Sequence, residues 1–384
     1  MSGVAHLYIH LPFCARRCGY CDFYSTAGKE ARAPAYLESL LAELEEAADL
    51  MAPLQSVYLG GGTPTRIGAR PLARLLAAVR QRCAAEAEIS VEANPETVTP
   101  ALAGSLLAAG ATRISLGVQS FSERLRRNLE RSGDAGQAAR AMKTLRAAGH
   151  GNVSLDLIFG IPGQTRAGLE KDLAAALSLE PDHLSCYELS IRPGSGYARR
   201  WEAKLKAAGA ESDHFYEIVV DILEAAGYRW YETSNFALPG RECRHNLGYW
   251  AGADYLGLGA GAWSTVGLKR WQNIPDLERY IGRTGKFADV RRTEDLTAEL
   301  KLWERAMLGL RCDHGADRGE IAAVIDLEQE KSLHRNGFIM TGSDKICLTR
   351  AGRFVANEVC ARLLRSIEEP RRPAERAGCG GPGT

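Results

Sequence analysis

Three cysteines, Cys14, Cys18 and Cys21, fall within eight residues of "IHLPFCARRCGYCDFYS" (9–25). Thiolates this close share one loop and converge on one centre. Zinc wants four ligands, and His10 would complete such a set. An iron–sulfur cluster held by three cysteines leaves one iron without a protein ligand, open to a small molecule. The choice between them turns on whether the rest of the chain supplies a site for that molecule.

The elements that must position this loop alternate. "VAHLYIHL" (4–11), "QSVYLGG" (55–61), "EISVEANP" (88–95), "TRISLGVQS" (112–120), "NVSLDLIFGIPG" (152–163) and "DHLSCYELS" (182–190) read as strands. Amphipathic stretches between them, such as 35–49 with Leu37, Leu40, Leu41 and Leu44 on one face, read as helices. Thr99 and Pro100 form an N-cap and N1 pair. About six βα units in the first 200 residues imply an α/β fold with a parallel sheet. Six are short of a closed eightfold barrel, so a partial (β/α)6 barrel is expected. Chemistry in such folds gathers at the C-terminal strand ends. Cys14, Gly61, Glu92, Gln119 and Asp156 lie at or just beyond those ends. The glycines of "LGGGTPT" (59–65) are expected to turn their backbone groups toward a ligand. Polar residues around one mouth suit a ligand with amine, carboxylate and ribose hydroxyl groups.

Composition narrows the class. With 48 basic and 47 acidic residues the net charge is +1, which points to neither nucleic acid nor a membrane surface. No apolar run approaches the roughly 20 residues that span a bilayer, and the N-terminus does not read as a signal peptide. Ten cysteines, three clustered and seven scattered, fit a reducing cytoplasm with one metal or redox site; peripheral membrane contact would leave no mark in the chain. Four segments are expected: a barrel over 1–200, a connecting segment over 201–290, a smaller, mostly helical, winged-helix-like domain over 291–367, and a disordered tail over 368–384. The last domain contains a small hairpin of "FIMTG" and "KICLT" followed by a helix at 350–366. It lacks the basic stripe of a nucleic-acid reader.

Taken together, "YIHLPFCARRCGYCDF", "GGGTPT", "EANP", "GVQSF" and "DLIFGIPGQT" resemble the radical SAM superfamily, in its oxygen-independent coproporphyrinogen III oxidase-like branch. The resemblance implies that Cys14, Cys18 and Cys21 ligate a 4Fe–4S cluster and that S-adenosylmethionine (SAM) chelates its open iron. It places Tyr8, Gly61, Gly62, Thr63, Glu92, Gln119, Arg131 and Asp156 at SAM-contacting positions, and Tyr20 at an aromatic near the adenine. The chain departs from the branch at "LERSGD" (129–134), where Glu130 stands for a glycine and Gly133 for a histidine, and at Arg192, which stands for an acidic residue.

True oxidases of the branch carry a further cysteine where this chain has Phe23, and a longer segment before the first strand. The "CDF" ending, the short start and "HNLGYW" (245–250) are similar to a sister group, the radical SAM heme chaperones of the HemW type. A neutral imidazole at His245 is a good axial iron ligand, and Tyr249 and Trp250 offer flat apolar area for a macrocycle. The six residues alone favour a hydrogen-bonded loop histidine and a core tryptophan; the resemblance reverses that preference. Asn246 is a candidate to hold the imidazole tautomer, and Cys243 a candidate second ligand. Arg241 and Arg244 are either propionate partners or solvated surface residues. The function this implies is uptake of heme at His245 and its transfer to an acceptor protein, a respiratory heme protein at the membrane, with a homodimer among the arrangements allowed. The cluster and SAM would govern structure or transfer. The alternatives are coproporphyrinogen III oxidation and another radical SAM reaction on a tetrapyrrole.

Overall fold

The computed structural model describes residues 3–131, 133–134, 136–191, 195–203 and 214–366. Arg192, Cys379 and the tail expected over 368–384 lie outside them.

Six strands, β1 (Val4–Leu11), β2 (Met51–Gly61), β3 (Cys83–Ala93), β4 (Arg113–Gln119), β5 (Val153–Phe159) and β6 (His183–Glu188), run parallel in sequence order. Helices α1 (Ala33–Glu46), α2 (Ala69–Arg80), α3 (Pro100–Ala108), α4 (Glu123–Asn128), α5 (Gly136–Ala148) and α6 (Arg166–Leu177) connect or follow them. Their starts follow local chemistry. Thr99, Ser122 and Thr165 each accept a backbone N–H from the residue three positions on, capping α3, α4 and α6. The chain continues through α7 (Phe215–Ala225), an antiparallel pair β7 (Arg229–Trp230) and β8 (Asn235–Ala237), the short helix α8 (Arg244–Trp250) and the strand β9 (Leu256–Leu258), the last to join this sheet.

The sheet has nine strands in the order β9-β1-β2-β3-β4-β5-β6-β8-β7 and stays open. The added parallel strand, β9, comes from the glycine-rich "YLGLGAGAWS", whose three-residue span hid it from sequence reading. Gly257 is required there, because a Cβ would lie 2.0 Å from the Trp263 carbonyl oxygen.

Each central strand alternates in a way that makes the fold readable. Leu7, Ile9, Val57, Leu59, Ile89, Val91, Ile114, Leu116, Leu155, Leu157 and Leu184 point outward and share one core with the helices. The inward face is polar. Across the strands the register aligns His6–Ser56–Glu88, then Tyr8–Tyr58–Ser90–Arg113, then Glu92–Ser115–Ser154–His183. A parallel strand buried on both sides would ordinarily read as continuously apolar. Here the barrel interior is a stack of hydrogen-bonded polar layers instead.

A second core runs from Ala306 to Leu364. It joins several short helices to a three-stranded sheet that includes the expected hairpin, Ile339–Thr341 with Lys345–Leu348. The final helix is two pieces, Arg350–Phe354 and Ala356–Leu363. Among the described residues no helix is long and apolar enough to cross a membrane.

Candidate functional site

Beyond β1 the chain folds back: Phe13–Cys14 pairs with Thr26–Ala27, and the Thr26 N–H donates to the Pro12 carbonyl at 2.7 Å. A turn from the Cys21 N–H to the Cys18 carbonyl tightens the loop between them. The three thiols are free and half-buried. Burial raises all three pKa values, and the Arg131 guanidinium opposes that at Cys14 and Cys18. All three line one cleft of about 80 Å³ with Tyr20, Gly61, Gly62, Thr63 and Arg131.

The loop has an external tether. Glu130 adopts φ 57°, a left-handed conformation that a glycine takes freely. Its carboxylate accepts the Gly19 N–H at 3.1 Å and pairs with Arg200 at 3.2 Å. The departure at this position therefore gains a grip on the cysteine loop. Arg131 donates to Asn94 Oδ1 at 2.8 Å and to the Gly117 carbonyl at 2.7 Å, which fixes it under the thiols.

Two sequence expectations need correction here. The N–H groups of the glycine turn do not face a ligand: Gly61 donates to Glu92 Oε2 at 3.2 Å, Gly62 to the Leu11 carbonyl and Thr63 to the Phe13 carbonyl. The glycines are needed for close packing on β1, since a Cβ on Gly61 would lie 2.3 Å from the His10 ring. His10 cannot complete a zinc set, because Nε2 bonds the Tyr24 carbonyl at 2.8 Å and Nδ1 the Tyr8 hydroxyl at 3.1 Å. Burial pushes its pKa down to about 4. Among the described residues no three His, Cys, Asp or Glu side chains gather closely enough to hold a single metal ion. A cubane asks less, because each thiolate binds a different iron. The loop fits that donor pattern.

The remaining expected nucleoside contacts are spread out. Tyr8 and Glu92 line a neighbouring cavity, and neither Gln119 nor Asp156 lines either space. Glu92 accepts the Tyr58 hydroxyl at 2.9 Å. Burial, then the charge of Asp156, push it up to about 7. Asp156 accepts the Ser115 hydroxyl at 2.9 Å and is raised by burial against the pull of Arg113. Gln119 sits in a left-handed bulge with φ 69°.

The neighbouring cavity measures about 650 Å³ and shares Gly61 with the cleft. His245, Asn246 and Tyr249 line it from α8, Tyr8 and Tyr58 from the barrel, and Phe23, Arg17 and Trp263 at its edge. Phe23 is 66% exposed. His245 is 1% exposed, stacked on Tyr58 at 5.3 Å and edge-on to Tyr249 at 4.7 Å. Burial pushes its pKa down to about 3, so the ring is neutral. Its Nδ1 lies 2.9 Å from Ser56 Oγ, and its Nε2 is buried without a partner. Glu88 aims the helix: its carboxylate accepts the Arg244 N–H at 3.0 Å, the His245 N–H at 3.3 Å and the Cys243 thiol at 3.4 Å.

Several expected roles move. Ser56, not Asn246, is the partner of the imidazole. Trp250 lies five positions past His245, off the helical face it shares with Tyr249, and its side chain bonds Glu232 instead of lining the cavity. Cys243 is fully buried, bonded to Glu88 and pushed up to about 12, so it is no second ligand. Arg241 pairs with Asp182 at 3.7 Å and Arg244 with the Glu86 carbonyl, both outside the cavity. Ser56, Tyr58 and Glu88 were missed. Their signal was there, in polar residues at every second position of "SVY" (56–58) and "EISVE" (88–92) within otherwise apolar strands.

The radical SAM superfamily profile matches residues 8–176. Relatives described as heme chaperone HemW are 40% identical over 369 residues in Mycobacterium tuberculosis (93% of this chain, 94% of the relative) and 40% identical over 375 residues in Escherichia coli (93% and 97%). One from Bacillus subtilis is 33% identical over 372 residues (93% and 98%). The solved Escherichia coli coproporphyrinogen III oxidase (HemN), a radical SAM enzyme, superposes with a TM-score of 0.81 at 25% identity, covering 94% of this chain and 90% of that one.

Proposed function

The chain belongs to the heme chaperone HemW family of radical SAM proteins, and from that premise we propose that it takes up heme at His245 and hands it to an acceptor protein. The observation that carries this reading is the neutral, buried imidazole whose Nε2 has no partner, beside an aromatic cavity of about 650 Å³. A porphyrin needs flat apolar walls and one axial donor, and Tyr58, Tyr249 and His245 supply both. Arg17, a cation at the cavity edge, suits a propionate. We assign the acceptor to the heme proteins of a respiratory chain at the membrane.

In the same reading Cys14, Cys18 and Cys21 hold a 4Fe–4S cluster, with SAM on its open iron. Such a cluster, once reduced, supplies one-electron cleavage of bound SAM. The residues of this chain would do the holding: the thiols bind, Arg131 lowers the basicity of Cys14 and Cys18, and Tyr20, Gly62 and Thr63 bound the space for a chelating head group. Glu92, next to the end of β3 and lining the neighbouring cavity, would meet the rest of the nucleoside; Gln119 at the end of β4 and Asp156 midway along β5 would support it from behind that lining.

A second reading, coproporphyrinogen III oxidation, is favoured by the superposition on the oxidase. One experiment separates the two. Anaerobically reconstituted protein is given heme and, separately, coproporphyrinogen III with SAM and a reductant. The chaperone reading expects a Soret band that His245→Ala abolishes, and no protoporphyrinogen. Multiple turnovers to protoporphyrinogen would make the protein an oxidase instead.

A further inference from the structure

One hydroxyl joins two imidazoles beneath the cavity. Ser56 Oγ lies 2.9 Å from His245 Nδ1 and 2.8 Å from His6 Nδ1. The fold builds this chain deliberately. His6 and Ser56 are register partners on β1 and β2 and point into the barrel. Gly248 of α8 makes room, because a Cβ there would lie 2.8 Å from the His6 ring.

A serine hydroxyl has one proton and two lone pairs, so Ser56 either donates to one ring and accepts from the other, or accepts from both and orphans its own buried O–H. Two arrangements of the same three protons satisfy it. In the first, Ser56 donates to His245, whose own proton must then sit on Nε2. That atom is buried without a partner, so the arrangement leaves an orphaned N–H, the kind of group folded proteins avoid. In the second, His245 donates its Nδ1–H to Ser56, and Ser56 donates to His6 Nδ1. The proton of His6 then sits on Nε2, in a ring that is only partly buried, where water can accept it. The second arrangement orphans no buried donor.

We propose that Ser56 and His6 are positioning residues that fix His245 as the Nδ1–H tautomer, which leaves the Nε2 lone pair free for the iron of an incoming heme. The inference rests on the reading of His245 as the heme ligand. A ligating histidine whose other nitrogen donates to a fixed acceptor is both oriented and made a stronger donor. Here the acceptor is a hydroxyl, and its own proton must have somewhere to go. His6 is that destination.

The test reads tautomers directly, before any heme is added. Long-range proton–nitrogen NMR on histidine-labelled protein, with only eight histidines to resolve, reports which ring nitrogen is protonated. Wild type is expected to carry the proton of His245 on Nδ1 and that of His6 on Nε2. Ser56→Ala and His6→Leu should mix or reverse the His245 tautomer. His6→Asn, whose Oδ1 stands where Nδ1 stood, should restore it. With heme, Ser56→Ala and His6→Leu should weaken binding about 10- to 100-fold and lower the iron–histidine stretching frequency, with recovery in His6→Asn. A proton on Nε2 of His245 in wild type overturns the proposal, as do unchanged tautomer and affinity in both Ser56→Ala and His6→Leu. An Nδ1–H tautomer in a protein that takes up no heme would sustain the tautomer assignment and sink the chaperone reading instead.

Discussion

The cysteine loop and the histidine cavity share Gly61 as a wall but are built in opposite ways. The loop gathers its three thiols from eight consecutive residues and leaves them half-exposed. The cavity presents one ring, almost wholly buried, whose partner Ser56 is 189 positions away and whose helix is aimed by Glu88. The first site gets its geometry from spacing along the chain, and a bound cluster can finish it. The second gets its geometry from packing between distant strands, and must be finished by folding. Damage should therefore be local in the loop and propagate in the cavity.

The sharpest way to break that contrast is Cys18→Ser. It should abolish the iron–sulfur absorbance of anaerobically reconstituted protein while leaving heme uptake and the melting temperature near wild type. Loss of heme uptake along with the cluster would show that the two sites are one unit.

Glu92→Gln probes the wall between them. Glu92 has a raised folded pKa of about 7 against an ordinary value of 4.5. A raised carboxylate favours the folded state while it is protonated. Its contribution is thus complete below about pH 4.5 and lost as pH rises through about 7, of order 3 kcal/mol over that window. Urea unfolding of wild type at pH 5 and 7.5 should show part of this decline, and Glu92→Gln should flatten it.

Glu88→Gln should cost about 2 kcal/mol, because a charged acceptor for two backbone N–H groups and a thiol becomes a neutral one. The heme spectrum should change with it while cluster iron content stays constant. An unchanged heme spectrum would mean that α8 does not need its anchor. The smallest effect is expected at Phe23→Ala. This exposed ring at the cavity edge should cost less than about 0.5 kcal/mol of stability and weaken heme binding by no more than about fivefold.

The same contrast explains what the sequence disclosed. Strand and helix order was legible because outward residues such as Val57, Ile89 and Leu116 keep a period of two. The cysteine loop was legible because its ligands are neighbours in the chain. In "HNLGYW", His245 and Tyr249 proved to line one cavity, but Trp250 did not, since a short motif shows residue types and not which way a helix faces. Ser56, Tyr58 and Glu88 escaped notice because their meaning lies in register between strands, which no single segment displays. β9 escaped because three residues around a glycine carry too little pattern. Glu130 was visible as a departure, yet its role needed coordinates, since its partner Gly19 lies 111 positions earlier.

Glu130 carries a consequence for how this lineage can drift. A left-handed glutamate costs about 1–2 kcal/mol relative to glycine, and its bond to the Gly19 amide returns a similar amount. Replacement by glycine would exchange one for the other, so selection on thermal stability alone would hardly register it. Deuterium uptake at the Gly19 amide would register it at once, because that proton is sheltered only for as long as the turn after α4 stays shut.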